Sequence, residues 1–158
     1  MSEESIELIT TFYVDSDLFG LEVMKVQEVT KHHQLKIVPL APSFVRGLIN
    51  LRGQIATALG LRELFKKESV LREEEISVVC KMDGNLVSLI VDSVGDVVQL
   101  EKKDFERPPH TIQADVRRFI KGIYKMNGVL LSILDLEELS RELSPSTNGS
   151  HQQYKEMR

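Results

Sequence analysis

The chain contains a copy of itself. Residues 44–65, FVRGLINLRGQIATALGLRELF, align without a gap to residues 119–140, FIKGIYKMNGVLLSILDLEELS, at an offset of 75 (119 − 44). Identical pairs include Phe44/Phe119, Gly47/Gly122, Gly53/Gly128, Leu59/Leu134, Leu61/Leu136, Glu63/Glu138 and Leu64/Leu139. An upstream block repeats as well, residues 8–30 on residues 76–98, at an offset of 68 (83 − 15). It pairs Asp15/Asp83, Leu18/Leu86, Leu21/Leu89, Val23/Val91, Val26/Val94 and Val29/Val97. The blocks keep their order, and the difference of 7 between the offsets places an insertion between the blocks of the second copy. A chain built this way folds as two similar subdomains, because self-similarity at a fixed period marks a repeated supersecondary unit. The expected domain spans 8–143, with approximate halves 8–68 and 76–143, and the polar stretch 144–158 reads as a disordered tail.

Each upstream block predicts a β-hairpin: β-rich runs flank the polar turns Asp15-Ser16-Asp17 and Asp83-Gly84-Asn85. Each downstream block predicts a second hairpin and a short helix. Asn127-Gly128 suits a type I′ turn, which needs positive φ at both central residues. Asp135 and Glu138 have the spacing of a capping box, and Leu136, Leu139 and Leu143 share a helical face. In the first copy Gly60 takes the cap position. Prolines mark the connections at Val38–Pro42 and Arg107–His110, where a ladder donor is missing. The run Glu73-Glu74-Glu75 reads as a solvated joint. The predicted fold is mostly β, two SH3-like five-stranded barrels with short helices.

Catalytic signatures are missing. The nine glycines form no GxG, and GxSxG and HExxH are absent. Adjacent His32 and His33 would point to opposite faces of a strand, so no metal is expected. Cys80 lies in an apolar run and reads as a buried, inert thiol, and as the lone cysteine it leaves no intramolecular disulfide. Asp92 reads as a strand-end carboxylate that holds backbone. A hydrolase built on Asp92 or Cys80 is the weaker alternative, and no cofactor is expected. A net charge of −4, 6% aromatic residues and no tryptophan argue against a nucleic-acid-binding barrel. No apolar run is long enough to cross a bilayer, and the acidic start lacks a signal core, so a cytoplasmic protein is expected.

The sequence NLRG, residues 50–53, interrupts an apolar stretch. The second copy places Asn127-Gly128 at the same tip, so turn geometry does not demand arginine there. A type II turn would spare Arg52 a positive φ. Arginine amid apolar neighbours suits a binding contact, and Asn50 either orients the guanidinium or satisfies the turn.

With these residues in place the chain resembles the CheW-type chemotaxis coupling proteins. The likeness runs through LFGLEVMKVQEV (18–29), VPLAP (38–42), FVRGLINLRG (44–53), SLIVDSVGDV (88–97), RPP (107–109) and FIKGIYKMNGVLLSILDLEEL (119–139). It implies a non-catalytic adaptor that joins chemoreceptor cytoplasmic tips to the regulatory domain of the histidine kinase CheA, in arrays beneath the membrane and without inserting into it. It further implies a receptor-binding groove around Val26, Glu28, Asn50, Arg52, Ile76 and Val94, and a kinase or ring interface around Phe105, Arg107, His110 and Ile112. An array protein assembling mainly with CheW-like paralogues or receptors is the variant within the family. The chain departs from the family pattern at Thr57, where proline is usual, at Gly60, where aspartate is usual, and at Ser88, where glycine is usual.

Overall fold

The computed structural model describes residues 5–32, 35–70 and 72–143. Among the described residues ten strands form in the order the repeat predicts: β1 (Ile6–Val14), β2 (Asp17–Glu22), β3 (Val26–His32), β4 (Val45–Leu51) and β5 (Gln54–Gly60), then β6 (Glu75–Met82), β7 (Asn85–Val91), β8 (Ser93–Glu101), β9 (Ile120–Met126) and β10 (Val129–Leu134). Helices are short: α1 (Leu61–Leu64), α2 (Ala114–Arg117) and α3 (Leu136–Leu143). No helix among the described residues is long and apolar enough to cross a membrane.

The halves of the sequence are not the sheets of the structure. One sheet runs β8-β1-β2-β10-β9 and the other β3-β6-β7-β5-β4. Each upstream hairpin therefore leaves its own half and joins the three remaining strands of the other. Exchanging β1 to β5 with β6 to β10 turns one order into the other. The register obeys the same rule: the parallel pair Leu131↔Leu18 in the first sheet matches Ala56↔Leu86 in the second (131 − 56 = 75; 86 − 18 = 68). The seven-residue insertion falls between β8 and β9, in the connection that carries α2.

The shared glycines occupy equivalent places within each copy. A Cβ on Gly47 would lie 2.6 Å from the Lys36 carbonyl oxygen, and one on Gly122 would lie 2.7 Å from that of Glu106. Those two residues form the bridges Lys36↔Leu48 and Glu106↔Ile123, which cover the outer strands β4 and β9 and so protect the sheet edges. The Gly60 N–H donates to the Phe44 carbonyl (2.7 Å) and the Asp135 N–H to the Phe119 carbonyl (2.8 Å), again at equivalent places.

The exchange also decides where the core sits. The largest cluster lies between the sheets and draws on both: Phe12, Phe19 and Leu21 meet Leu59, Val78 and Leu89, together with Leu61, Leu64, Leu136 and Leu139 from the helices. Each sheet encloses a smaller cluster of its own, around Ile9, Tyr124 and Leu131 in the first and around Ile49, Ala56 and Ile90 in the second. Ser88 becomes intelligible here. Its repeat partner is Gly20, where a Cβ would lie 2.5 Å from Ile9 and 3.1 Å from Leu131. In the second sheet the equivalents of Ile9 and Leu131 are Ser77 and Ala56, small enough to admit the extra atoms. Thr57 lies inside β5, paired with Leu48 on one side and Val87 on the other, where its N–H can serve a ladder that proline would break.

The two helix caps differ as the sequence predicts. Asp135 Oδ1 accepts from the Glu138 N–H at 3.1 Å, and α3 runs for eight residues with Leu136 and Leu139 buried. Gly60 has no capping side chain, and α1 stops after four residues, with Lys66 at φ +60° just beyond it. A Cβ at Gly60 would run into Glu63 Oε1, so the Glu63 side chain fills the place where the family's aspartate would stand. Asp135→Ala is expected to cost about 1 kcal/mol of unfolding free energy, read from the urea midpoint. An unchanged midpoint would show that α3 is held by its leucines alone.

One expectation needs correction. Glu73 and Glu74 are exposed, but Glu75 opens β6 and is buried, and it accepts from Arg46 Nη2 at 2.9 Å. The acidic run therefore ends inside the fold, where its last carboxylate is paired as burial requires. The tail from Ser144 and His33 lie outside the described residues.

Candidate functional site

The tip of the β4–β5 hairpin holds an unusual arginine. Arg52 has φ +54° and Gly53 +87°, close to the +45° and +80° of Asn127 and Gly128. The strain-free type II turn is not the one adopted. An L side chain in this region costs roughly 1–2 kcal/mol, and asparagine, the residue of the second copy, tolerates it better. Asn50 settles its own question: its Oδ1 accepts from the Gly53 N–H at 2.8 Å, so it holds the turn.

The guanidinium reaches across to β3. Arg52 Nη2 bonds Glu28 Oε2, with the arginine side chain 75% exposed and the glutamate 21%. β3 and β4 are the two outer strands of the second sheet, so this ion pair spans the seam between them and presents one charge of each sign at its rim. Val26 and Ile76, on neighbouring strands β3 and β6, are half-buried against the inter-sheet core. Val94 belongs to the other sheet, opposite Phe12 on β1, and is 40% exposed. It is the repeat equivalent of Val26, so the two valines stand at matching places on the two sheets.

Beside the hairpin lies an open groove lined by Leu35, Lys36, Leu48, Ile49, Asn50 and Ile55. Ile55, Ile37 and Leu40 are strongly exposed. Sequence reasoning did not single these out. The signal for Ile55 is an inverted alternation: Ala56 and Ala58 turn inward and the larger Ile55 outward.

The four residues of the second expected interface divide. Arg107 and His110 are exposed. The Phe105 ring covers Gly122 and lies 5.3 Å from the Tyr124 ring, and Ile112 packs partly on the inter-sheet core. Arg117 Nη1 ties this connection down by donating to the carbonyls of Ile112 (2.8 Å) and His110 (3.3 Å).

Two groups weighed as nucleophiles have structural places. Burial pushes the Cys80 thiol up to about 12, so thiolate is negligible at neutral pH. Asp92 sits at the step from β7 to β8. Burial would raise its pKa, but the Arg62 side chain, the Asp15 N–H and the charges of Arg62 and Arg72 outweigh that and hold it below the usual 3.8. A carboxylate depressed in the folded state contributes stability that is complete above its unfolded pKa and is lost as pH falls through the folded one. Acid unfolding should therefore steepen below about pH 4, and Asp92→Asn should lower stability at pH 7 and flatten that limb. Parallel limbs for both proteins would remove Asp92 from the acid response.

Residues 9–144 match the family of CheW-like domains. The chain belongs to the CheW-like family. It is 27% identical to the chemotaxis protein CheW of Treponema pallidum (strain Nichols), over 94% of this chain and 91% of that one. It is 28% identical to the chemotaxis protein CheW of Bacillus subtilis (strain 168), over 89% and 91%. The crystal structure of the scaffolding protein TtCheW from Thermoanaerobacter tengcongensis superposes with a TM-score of 0.73 at 29% identity, covering 82% of this chain and 88% of that one. The fold is thus the paired SH3-like barrel of CheW, and the chain is a chemotaxis scaffold of a non-catalytic adaptor family.

Proposed function

We propose that this CheW-like chain couples the cytoplasmic tips of chemoreceptors to the regulatory domain of the histidine kinase CheA, within arrays at the membrane. The observation that carries the reading is Arg52. It is exposed, paired across a seam to Glu28, and held at a backbone angle that its repeat partner assigns to asparagine. Backbone strain at a surface turn is retained where the side chain has a task.

A receptor tip is a helical hairpin, and such a partner binds by laying apolar side chains into a groove while rim charges set its register. Val26, Ile76 and Val94 supply the apolar contacts, and Glu28 and Arg52 the rim, with Asn50 fixing the hairpin beneath them. The kinase regulatory domain is met by the Phe105–Ile112 connection, where Arg107 and His110 are free to contact a partner and Phe105 and Ile112 anchor the segment. Weak contacts at two surfaces gain strength from multivalency, and head-to-tail contacts can close into rings.

Isothermal titration of the chain into the isolated regulatory domain of a chemotaxis kinase from the same cell tests the kinase half. A saturable one-to-one heat is expected. No heat and no co-elution would overturn it and leave receptors or paralogues as the partners.

A further inference from the structure

The chain passes between the sheets at two equivalent points, and they are built differently. From β7 to β8 it passes through Asp92, and from β2 to β3 through a 3-10 turn at Val23–Lys25. Met24 is the repeat equivalent of Asp92 (92 − 24 = 68) and is 95% exposed. A thioether in solvent fastens nothing. Asp92 is fastened from both sides. Arg62, on α1 after β5 of the second sheet, donates from Nε at 3.0 Å and Nη2 at 2.8 Å. The Asp15 N–H, in the β1–β2 turn of the first sheet, donates at 2.5 Å. Arg72 adds Nη2 at 3.4 Å. An outer pair, Lys67 Nζ with Asp17 Oδ2 at 2.5 Å, joins the same two segments. The Asp92 N–H donates to the Tyr13 carbonyl at 2.9 Å, so main chain and side chain grip the first sheet together.

Building on the coupling role proposed above, we infer that Asp92 and Arg62 form a clasp that sets the position of the start of β8, and with it Val94, against the second sheet. Two nitrogens of one guanidinium on one carboxylate fix orientation as well as distance. Val94 lies two residues beyond the clasp on a strand paired to β1. A small shift of Asp92 therefore moves one apolar contact of the groove relative to the Glu28–Arg52 rim on the other sheet. The clasp touches no partner. Asp92 and Arg62 are positioning residues.

The test uses the full chain, isotope-labelled, with the cytoplasmic hairpin fragment of a chemoreceptor from the same cell. Asp92→Asn is expected to weaken binding of the fragment about tenfold, with Arg62→Gln similar and the double variant no weaker than the worse single one, as for two halves of one interaction. Residual dipolar couplings should show residues 93–95 and the β1–β2 turn reoriented relative to β6 and β7, with the interior of each sheet unchanged. A purely stabilising role would leave those couplings alone. Arg62→Lys keeps the charge but loses the fork, which guards against a variant that does not fold, and should weaken binding about threefold. Additive losses, or Arg62→Lys and Asp92→Asn binding as the parent does with unchanged couplings, would overturn the clasp. If the parent chain fails to bind the fragment, the receptor role fails instead, and the couplings alone decide the clasp.

Discussion

Arg52→Glu is expected to weaken binding of a receptor hairpin fragment about thirtyfold or more while the protein stays folded. The loss corresponds to the roughly 2 kcal/mol of a central interface contact. Reversal removes the cation that faces Glu28 and sets two carboxylates at the same rim, so the field met by the partner changes sign at one point. Stability should hardly suffer. The side chain is 75% exposed and takes no part in any core cluster. Arg52→Asn separates the two effects further. It restores the residue that the second copy uses at φ +45° and should raise unfolding free energy by about 0.5–1 kcal/mol, yet bind about as poorly as any variant lacking the cation. Titration calorimetry and urea unfolding on the same samples read both quantities. Undiminished binding by Arg52→Glu would remove Arg52 from the receptor contact.

Phe12→Ala is expected to cost about 3–5 kcal/mol, a large share of the roughly 5–15 kcal/mol that holds an ordinary domain. Phe12 is fully buried on β1. Its ring stacks on Phe19 with centroids 6.5 Å apart, and Phe19 stacks on Phe65 at 4.7 Å. Phe65 follows α1 at the end of the second sheet's β5, so this aromatic row crosses from one sheet to the other. The cavity left by truncation weakens both sheets at once. Denaturant unfolding of parent and variant should show a single transition, shifted as a whole. Two separated transitions would mean that each sheet stands on its own small cluster and that the contact between them is secondary.

Several elements were legible before any coordinates. Hairpins alternate with polar turns, Asp135 caps a helix, and Gly47 and Gly122 recur at one place in the repeat, although only the structure shows the carbonyls that pass close to them. These are local or pairwise requirements, and the repeat displays the hairpins and the glycine twice. The NLRG arginine was legible as an oddity through the same comparison, since the second copy supplies a control for what the turn needs. Glu75 was not. A carboxylate at the end of an acidic run looks solvated until β4 brings Arg46 to it. Nor was Ile55, because an apolar run does not say which of its residues turn outward.

What the sequence determined by itself was the set of parts: two copies of a hairpin, a second hairpin and a helix, with one arginine that the turn does not require. Periodicity and turn chemistry are properties of neighbours along the chain, so they can be read there. Tertiary structure alone decided how the parts were shared. Pairing β1–β2 with β8–β10, and β6–β7 with β3–β5, satisfies the same hydrogen bonds as pairing within each copy would. What marks the observed pairing is a core that joins Phe12 and Phe19 to Leu59 and Leu89, contacts between residues far apart in sequence that no local pattern encodes. That exchange sends the chain across at Asp92 and at Met24, and it carries Val26 and Val94 to matching places on separate sheets.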